Sequence, residues 1–286
     1  MTDRREFLKT AGAGIAATMT IGRAARGTPA DPPWLTYAIN AEMFWKDRPF
    51  LDRLKKIAEV GFTRYEFGHW KTKDIEAITR ANEELGLQPS LFSAFRGIAS
   101  SKRKDAFVEA VELSVEVAQK LGSPRLAVGI GERIEGLDRD EQVDAAIDAL
   151  KAVSEKLAEA EVTLILEPLD VLIGRPRPLI VTLEDAAALV KEVGSPHVKI
   201  LLDLFHNPAG AVDLGDQIAR YRGIIGYYQV AGQPPRPAAA VPYARILRQV
   251  HDLGYSDPIG VELWPKGDPQ AAIQALREAD AAARAL

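Results

Sequence analysis

Three acidic residues stand at or near the ends of apolar runs that have the composition of buried strands. The runs are "VTLILEPLD" with Glu167, "VKILLDLFH" with Asp203 and "IGVELWP" with Glu262. Burying a carboxylate is costly unless a metal ion, an ion pair or a chemical role compensates for the lost hydration. Gln229 in "IIGYYQVAG" adds an amide in a comparable position. These four side chains are the first candidates for a functional site.

Carboxylates that share a cavity repel one another and raise one another's pKa unless a cation joins them. A hard divalent cation is bound by carboxylate and amide oxygens. We therefore predict one divalent metal ion at Glu167, Asp203, Gln229 and Glu262, and the oxygen ligands favour magnesium or manganese. If His206 joined the ligands, zinc or cobalt would become competitive.

Eight short apolar runs alternate with longer amphipathic segments from Trp34 onward, and this alternation must position the candidates. The predicted strands are Leu35–Asn40, Arg64–Phe67, Pro89–Ser93, Arg125–Gly129, Thr163–Glu167, Lys199–Asp203, Ile224–Val230 and Ile259–Leu263. The segments between them carry apolar residues at helical spacing, and several end in glycine, as in "EELGL" and "KEVGS". Strict alternation predicts a parallel sheet, and eight units predict a single (β/α)₈ TIM barrel. An open doubly wound sheet is the alternative, although no glycine-rich dinucleotide motif follows the first strand.

In a barrel of this kind the active site forms at the C-terminal ends of the strands, where the four candidates would meet. Each of them alone also has a structural interpretation. Glu167 could pair with an arginine, Asp203 could cap a loop, Glu262 could bind Lys266, and Gln229 could bond to backbone. Their common position at the ends of strands five to eight favours the functional interpretation.

The composition excludes several kinds of site. The chain has 286 residues, a formal net charge of -4 and a pI near 5.7, with no basic stripe that would indicate a nucleic-acid partner. It has no cysteine, which rules out disulfides and thiolate metal sites. With only four histidines, any metal site must depend on carboxylates.

The N-terminal segment has the features of a targeting sequence. Arg4 and Arg5 precede Phe-Leu-Lys and a weakly apolar run of small residues from Ala11 to Ile21, which resembles a twin-arginine export signal. We predict a signal and linker over residues 1–30, a barrel over residues 31–286 and a periplasmic or extracytoplasmic location. The alternative is an amphipathic helix, which the glycines of this segment disfavour. The apolar run is too short to span a bilayer, so no stable membrane insertion is expected.

Four stretches resemble the hydroxypyruvate isomerase-like branch of the sugar phosphate isomerase/epimerase family, which has the xylose isomerase-like TIM barrel. They are "LILEPLD", "VTLEDAAALVKEVGSPHVKILLDLFH", "IIGYYQVAGQPPR" and "LGYSDPIGVELWPKGDP". The resemblance implies a metal ion at the four residues named above, with Glu167 and Glu262 as the catalytic acid–base pair. It also implies that His206 contacts the substrate.

Two further residues are candidates for substrate binding. In the family, the loop after strand seven carries Gly-Arg followed by acidic residues, whereas "AGQPPRPAAAVPY" keeps only Arg236 as a counterpart. This departure puts the substrate specificity in question. His69 in "YEFGHW" follows strand two and would also reach a substrate, with surface exposure or packing as an equal alternative.

These observations favour a metal-dependent isomerase or epimerase that acts on a small hydroxy-carbonyl compound or sugar through an enediolate. One alternative is an exported sugar-binding protein with a degenerate catalytic site. A lyase or dehydratase would use the same enolate chemistry. A phosphodiesterase with a metal cluster would need more histidines than this chain has. The expected partner is a small molecule, and the sequence leaves open whether the chain forms a homo-oligomer.

Overall fold

Eight parallel strands close into one barrel, in which each strand pairs with the strands before and after it in sequence. A computed structural model of the chain describes residues 33–168, 178–204, 214–232, 243–265 and 267–286, and the residues from Pro33 onward form one compact unit. The strands are β1 Tyr37–Asn40, β2 Arg64–His69, β3 Gln88–Arg96, β4 Arg125–Gly129, β5 Thr163–Glu167, β6 Val198–Asp203, β7 Ile225–Gly232 and β8 Ile259–Leu263. The predicted single (β/α)₈ barrel is confirmed.

A helix follows each strand within the described residues. The helices are α1 Phe50–Glu59, α2 Ile75–Leu85, α3 Lys104–Leu121, α4 Arg139–Glu159, α5 Leu183–Val193, α6 Leu214–Tyr221, α7 Tyr243–Asp252 and α8 Pro269–Ala285. The Asp74 side chain caps α2 by accepting a hydrogen bond of 2.9 Å from the backbone N–H of Ala77. Gly86 ends α2 and Gly194 ends α5 in the left-handed conformation, as the glycines in "EELGL" and "KEVGS" predict.

The strand limits agree with the sequence prediction in β4, β5 and β8 and differ by a few residues at one or both ends of the other strands. Strand β3 reaches Arg96, three residues beyond the predicted end at Ser93, and β7 reaches Gly232, two residues beyond Val230. In both strands the extra residues pair with a neighbouring strand: Arg96 with Gly129, and Gly232 with Leu263. The sequence prediction ended these strands too early because pairing across the sheet, and not local composition, determines where they stop.

Two layers of apolar side chains hold the barrel together. The large layer lies between the strands and the surrounding helices, and the small layer fills the barrel interior. The interior layer consists of Leu91, Ile165, Leu201 and Tyr227, with Ala127 packed against it. Because side chains alternate across a strand, polar residues placed between outward-facing apolar ones must point into the barrel.

A polar clasp joins the beginning of the barrel to its last helix. Asp280 in α8 is 4% exposed and accepts hydrogen bonds from the backbone N–H groups of Trp34 at 2.6 Å and Leu35 at 3.0 Å. It also accepts a bond of 3.0 Å from the hydroxyl of Tyr37. These contacts fix the chain entering β1 at the N-terminal end of the barrel. None of the described helices combines the length and the apolar character that crossing a membrane would require.

Candidate active site

The four residues predicted from the strand ends lie on neighbouring strands toward the C-terminal end of the barrel. Glu167 ends β5 and Asp203 ends β6, while Gln229 in β7 lies directly beside Asp203 in the sheet. Glu262 in β8 is paired with Ala231 of β7. Asp203 and Gln229 are buried, each with 3% exposure. The fold therefore brings these four positions to one end of the barrel, and their chemical roles stay predictions.

Glu262 lies in a strongly acidic environment. Burial is the main cause that raises the pKa of its carboxyl group, and the negative charges of Glu66, Glu167 and Asp203 raise this pKa further. A hydrogen bond from Gln229 opposes the shift. Three carboxylates thus act on a fourth across the barrel interior, which is the situation that a bound cation would relieve.

Glu66, which was not among the residues predicted from the sequence, belongs to this acidic group. It is 1% exposed, and its Oε1 accepts hydrogen bonds from Nδ2 of Asn40 at 3.0 Å and from Nε2 of Gln229 at 2.9 Å. Its Oε2 accepts a bond of 3.1 Å from the Tyr227 hydroxyl. Burial raises the pKa of Glu66 to about 7, the three hydrogen bonds oppose that rise, and the charge of Glu167 adds to it.

Asn40, the last residue of β1, connects Glu66 to Glu262. Its Nδ2 lies 2.9 Å from Oε1 of Glu262 and also donates to Glu66. Its Oδ1 accepts a hydrogen bond of 2.9 Å from the backbone N–H of Glu42. Because a backbone N–H can only donate, this bond fixes the amide so that its nitrogen faces the two carboxylates.

A signal for Glu66 was present in the sequence. It stands between Tyr65 and Phe67 in the second strand, and both aromatic side chains belong to the layer between strands and helices. Alternation along the strand then places Glu66 inside the barrel. The predicted acidic site residues all lie at the ends of strands five to eight, so this charged residue within the second strand was missed.

Gly260 in β8 provides the space that the hydrogen-bonded group occupies. Glu66 pairs in register with Asn40, and Gln229 pairs in register with Gly260, so the group extends over β2, β1, β8 and β7. A Cβ atom at position 260 would overlap Oε2 of Glu66 and lie 2.6 Å from Cγ of Gln229. A residue with a side chain at this position would therefore push Glu66 and Gln229 apart.

The mouth of the barrel also carries positive charge near the end of β3. Arg96 ends β3, pairs with Gly129 of β4, and Gly129 in turn pairs with Glu167 of β5. Cγ of Arg96 lies 3.3 Å from the place where a Cβ at position 129 would be, so the arginine side chain occupies space that the glycine leaves open. Arg96 forms no ion pair with any side chain in the described ranges.

A cavity of about 380 Å³ opens beside Arg96 and is also lined by Ser100, Arg103, Gly131 and Glu132. The Arg103 guanidinium lies over the ring of Phe95, 5.0 Å from its centroid. This volume suits a small organic molecule.

His69 at the end of β2 belongs to the same cationic side. Burial lowers the pKa of its imidazole, and the positive charges of Arg96, Lys71 and Lys73 lower it further. A neutral His69 can donate one hydrogen bond and accept another, which suits contact with a hydroxyl or carbonyl group. The structure thus places this candidate at the mouth of the barrel, and its contact with a substrate stays a prediction.

Two of the predicted substrate-binding residues, His206 and Arg236, lie outside the described residues, as does Lys266. Tyr243 begins α7, and its hydroxyl binds the backbone oxygen of Ala231 and accepts a hydrogen bond of 3.1 Å from the N–H of that residue. Burial raises the pKa of Tyr243, and the charge of Asp203 contributes to the rise. The first turn of α7 is therefore fixed beside the end of β7.

The fit of a metal ion has one favourable and one unfavourable aspect. The acidic charge around Glu262 and the carboxylate and amide oxygens suit a hard divalent cation. However, no group of three or more histidine, aspartate and glutamate side chains in the described part of the chain is placed so that it could hold a metal ion. The candidate ligand His206 lies outside that part.

The sequence profile of the xylose isomerase-like TIM barrel family matches residues 54–281, and the chain belongs to this family. The 2-oxo-tetronate isomerase of Pectobacterium atrosepticum is 29% identical over 243 residues, which cover 81% of this chain and 92% of the relative. The hydroxypyruvate isomerase of Escherichia coli is 22% identical over 252 residues, covering 84% of this chain and 97% of the relative.

Solved structures share the fold. A protein from Brucella melitensis described as an AP endonuclease of family 2 superposes with a TM-score of 0.77 at 25% identity, covering 86% of this chain and 99% of that protein. The IOLI protein, whose crystal structure contains a bound zinc atom, superposes with a TM-score of 0.69 at 16% identity, covering 87% of this chain and 95% of that protein.

Proposed function

We propose that this protein is an isomerase or epimerase that acts on a small hydroxy-carbonyl compound. It would transfer a proton from one carbon to its neighbour, or remove and return a proton at the same carbon with inversion. One observation carries the proposal: at the C-terminal end of the barrel, burial and then the negative charges of Glu66, Glu167 and Asp203 raise the pKa of the half-buried Glu262, which shares a hydrogen-bond donor with Glu66 through Asn40. The names of the two relatives describe isomerases, and the family match covers most of the barrel. Membership in the isomerase and epimerase class follows from these findings, and the substrate and mechanism are part of the proposal.

The two glutamates suit a proton transfer that conserves all atoms. One of Glu167 and Glu262 takes the proton from the carbon that bears the hydroxyl group. The resulting enediolate receives a proton at the neighbouring carbon for isomerisation, or on the opposite face of the same carbon for epimerisation. In isomerisation the hydroxyl oxygen gives up its proton and the carbonyl oxygen gains one. Burial and the neighbouring negative charges raise the pKa of Glu262, which favours the protonated carboxyl group and suits it to the proton-donating step.

A divalent metal ion is part of this proposal. Glu167, Asp203, Gln229 and Glu262 would hold it, and when bound it would supply positive charge for the developing oxyanion. Oxygen ligands favour magnesium or manganese. The zinc in the IOLI structure supports metal use by a neighbour of the same fold and does not bear on which metal this chain selects.

The charge distribution at the barrel mouth favours a substrate with an anionic end. Arg96 has no ion-pair partner among the described side chains and lines the cavity beside β3 and β4. The carboxylate of a short hydroxy-carbonyl acid would bind there while its reacting carbons face Glu167. Hydroxypyruvate is the first compound to test, because a relative is named for its isomerisation.

Proton exchange with solvent provides the test. Purified protein with manganese and hydroxypyruvate in deuterated water should place deuterium on the carbon next to the carbonyl, as observed by NMR, and should form the isomeric aldehyde. The Glu167→Gln/Glu262→Gln double variant is the matched control and should exchange no proton above background. Binding of hydroxypyruvate and of sugars without any exchange would contradict the proposal in favour of a binding protein, and loss of water from the substrate would indicate a lyase.

We also propose export by the twin-arginine route, because the Arg4-Arg5 pair is followed by a weakly apolar run of small residues. The full chain, expressed in a bacterium with an intact export pathway, should be recovered from the periplasm. An Arg4→Lys/Arg5→Lys variant should stay in the cytoplasm. Equal recovery of both proteins from the cytoplasm would contradict this proposal.

A further inference from the structure

We propose that Glu66 is a positioning residue of this site, which acts by holding the side-chain amides of Asn40 and Gln229 in one orientation. The inference rests on the proposed function in one respect, namely that Gln229 and Glu262 take part in metal binding and turnover. The hydrogen bonds that carry it are present in the structure independently of that function.

A carboxylate is suited to this task because, when ionised, it accepts hydrogen bonds and donates none. Oε1 of Glu66 accepts from the amide nitrogens of both Asn40 and Gln229. Each amide must therefore turn its nitrogen toward Glu66. The nitrogen of Asn40 then also reaches Glu262 at 2.9 Å, and the oxygen of Gln229 faces away from Glu66, where an amide oxygen is what a hard cation requires.

The burial of Glu66 indicates that it positions other side chains and does not itself contact the substrate. Glu66 is 1% exposed, and both its oxygens are occupied by donors from β1 and β7. A substrate at the barrel mouth would meet Glu167 and Glu262 before it could reach Glu66. The action of Glu66 must therefore pass through the side chains that it binds.

The close packing around Gly260 supports the proposed role of Glu66. The connection from Glu66 to Gln229 crosses β8 at Gly260, where a Cβ atom would overlap Glu66 and approach Gln229 to 2.6 Å. Glycine within a strand lowers stability by about 0.5–1 kcal/mol relative to alanine, so its presence in β8 needs a structural reason. The close approach of Glu66 and Gln229 is the feature that this glycine permits.

The main test compares four single variants with the wild type. Glu66→Met removes both acceptor oxygens and keeps an unbranched side chain of similar length, whereas Glu66→Gln keeps one acceptor oxygen. Tyr227→Phe removes only the donor to Oε2 and leaves both amides on Oε1. Asp280→Asn alters another buried carboxylate, at the opposite end of the barrel, and controls for loss of stability alone.

Three measurements separate positioning from general damage. They are the affinity for manganese by calorimetry, kcat and KM with hydroxypyruvate, and the hydrogen-exchange protection of the Asn40 and Gln229 side-chain amides by ¹⁵N NMR. In Glu66→Met we expect about a 10- to 100-fold loss in manganese affinity and in kcat, little change in KM, and loss of amide protection. Tyr227→Phe and Asp280→Asn should keep manganese affinity and kcat near the wild-type values. Glu66→Gln should recover most of the loss.

Two results would overturn the inference. The first is a Glu66→Met protein with wild-type manganese affinity and protected amides. The second is a Glu66→Gln protein as impaired as Glu66→Met, which would mean that the charge of Glu66 matters and not its acceptor oxygen. If Glu66→Met does not fold, Gly260→Ala takes its place, since the added methyl group displaces a carboxylate that is still present. An unchanged Gly260→Ala protein would equally overturn the inference.

Failure of the proposed function would look different. A wild-type protein that exchanges no proton of hydroxypyruvate would contradict the isomerase proposal for this substrate. The amide protection and the manganese titrations would still decide whether Glu66 orients Asn40 and Gln229.

Discussion

Two of the buried carboxylates in the barrel, Asp280 and Glu66, are bound in contrasting ways. Asp280 accepts hydrogen bonds from two backbone N–H groups and one hydroxyl, all from residues 34–37, which lead into β1. Glu66 accepts only side-chain donors, which come from the two separate strands β1 and β7. The charge of Asp280 therefore secures a chain segment, whereas the charge of Glu66 orients side chains among other acids.

The contrast shows that buried carboxylates can have different roles within one fold. A buried carboxylate with enough donors stabilises the backbone that supplies them, as at Asp280. A buried carboxylate beside other carboxylates raises their pKa values, as Glu66 does for Glu262. The N-terminal end of the barrel is expected to contribute stability, and the C-terminal end is expected to carry the chemistry at some cost in stability.

The largest expected effect is on turnover, which should depend on the acidic residues at the C-terminal end of the barrel and not on Asp280 at the N-terminal end. Glu167→Gln and Glu262→Gln should each lower kcat by about 10²- to 10⁴-fold, because the general base is removed while the shape is kept. Asp280→Asn should leave kcat within about twofold. Steady-state kinetics with hydroxypyruvate would measure this, and substrate binding by the glutamine variants can be checked by calorimetry. A Glu167→Gln protein with the parental rate would remove Glu167 from the acid–base role.

The dependence of stability on pH should distinguish the acidic end. Burial raises the pKa of Glu66 to about 7 from 4.5, so between these values the folded protein holds a proton that the unfolded chain has released. The stabilisation is fully present below pH 4.5 and is lost as the pH rises through 7, on the order of 3 kcal/mol in the metal-free protein. Denaturant melts in EDTA at pH 5 and pH 8 would measure the loss, and Glu66→Gln should reduce it. A steeper loss in Glu66→Gln would contradict the assignment.

Disrupting the Asp280 clasp at the N-terminal end of the barrel should lower stability without affecting turnover. Asp280→Asn replaces one acceptor oxygen by an NH₂ group, which leaves a buried backbone N–H of Trp34 or Leu35 without a partner. We expect a loss of about 1–3 kcal/mol in the free energy of unfolding. Urea denaturation would measure it, with the exposed Asp148→Asn as a control that should change little. An Asp280→Asn protein as stable as the wild type would refute the importance of the clasp.

The smallest effect concerns the cationic side of the mouth. Arg96→Ala should raise KM for hydroxypyruvate about tenfold with a smaller change in kcat, because a charge-assisted hydrogen bond to the substrate is lost. Arg64→Ala, a change at the N-terminal end of β2, is the matched control and should keep the parental KM. If KM for a neutral sugar rises as much as KM for hydroxypyruvate, Arg96 does not recognise a carboxylate.

The sequence predicted the features that depend on local pattern. Alternating strands and helices gave the barrel, and glycine after an amphipathic segment marked helix ends such as Gly86 and Gly194. Strand-end position brought Glu167 and Asp203 to one end of the barrel. Each of these inferences needs only a short window of sequence and the general geometry of the fold.

The parts that were missed depend on pairing between distant strands. The bond between Glu66 and Gln229 joins residues 163 positions apart, and it exists because Gly260 on a third strand lacks a side chain. Neither the register of β7 against β8 nor the close approach across Gly260 can be read from the local pattern around Glu66. The extension of β3 to Arg96 was missed for the same reason, since Gly129 on the next strand supports it.

The clasp at Asp280 also determines how late in synthesis the barrel can close. The backbone N–H groups of Trp34 and Leu35 bind a side chain that lies 245 or more positions later in the chain. A ribosome that adds about 5–20 residues per second needs roughly 12–50 seconds to reach that residue. During this interval the first strand has emerged, while β8, its second neighbour in the sheet, and the helix that anchors its start have not been made. The nascent chain therefore presents an unpaired apolar strand edge to the cell, and closure of the ring is a late event that follows translation of α8.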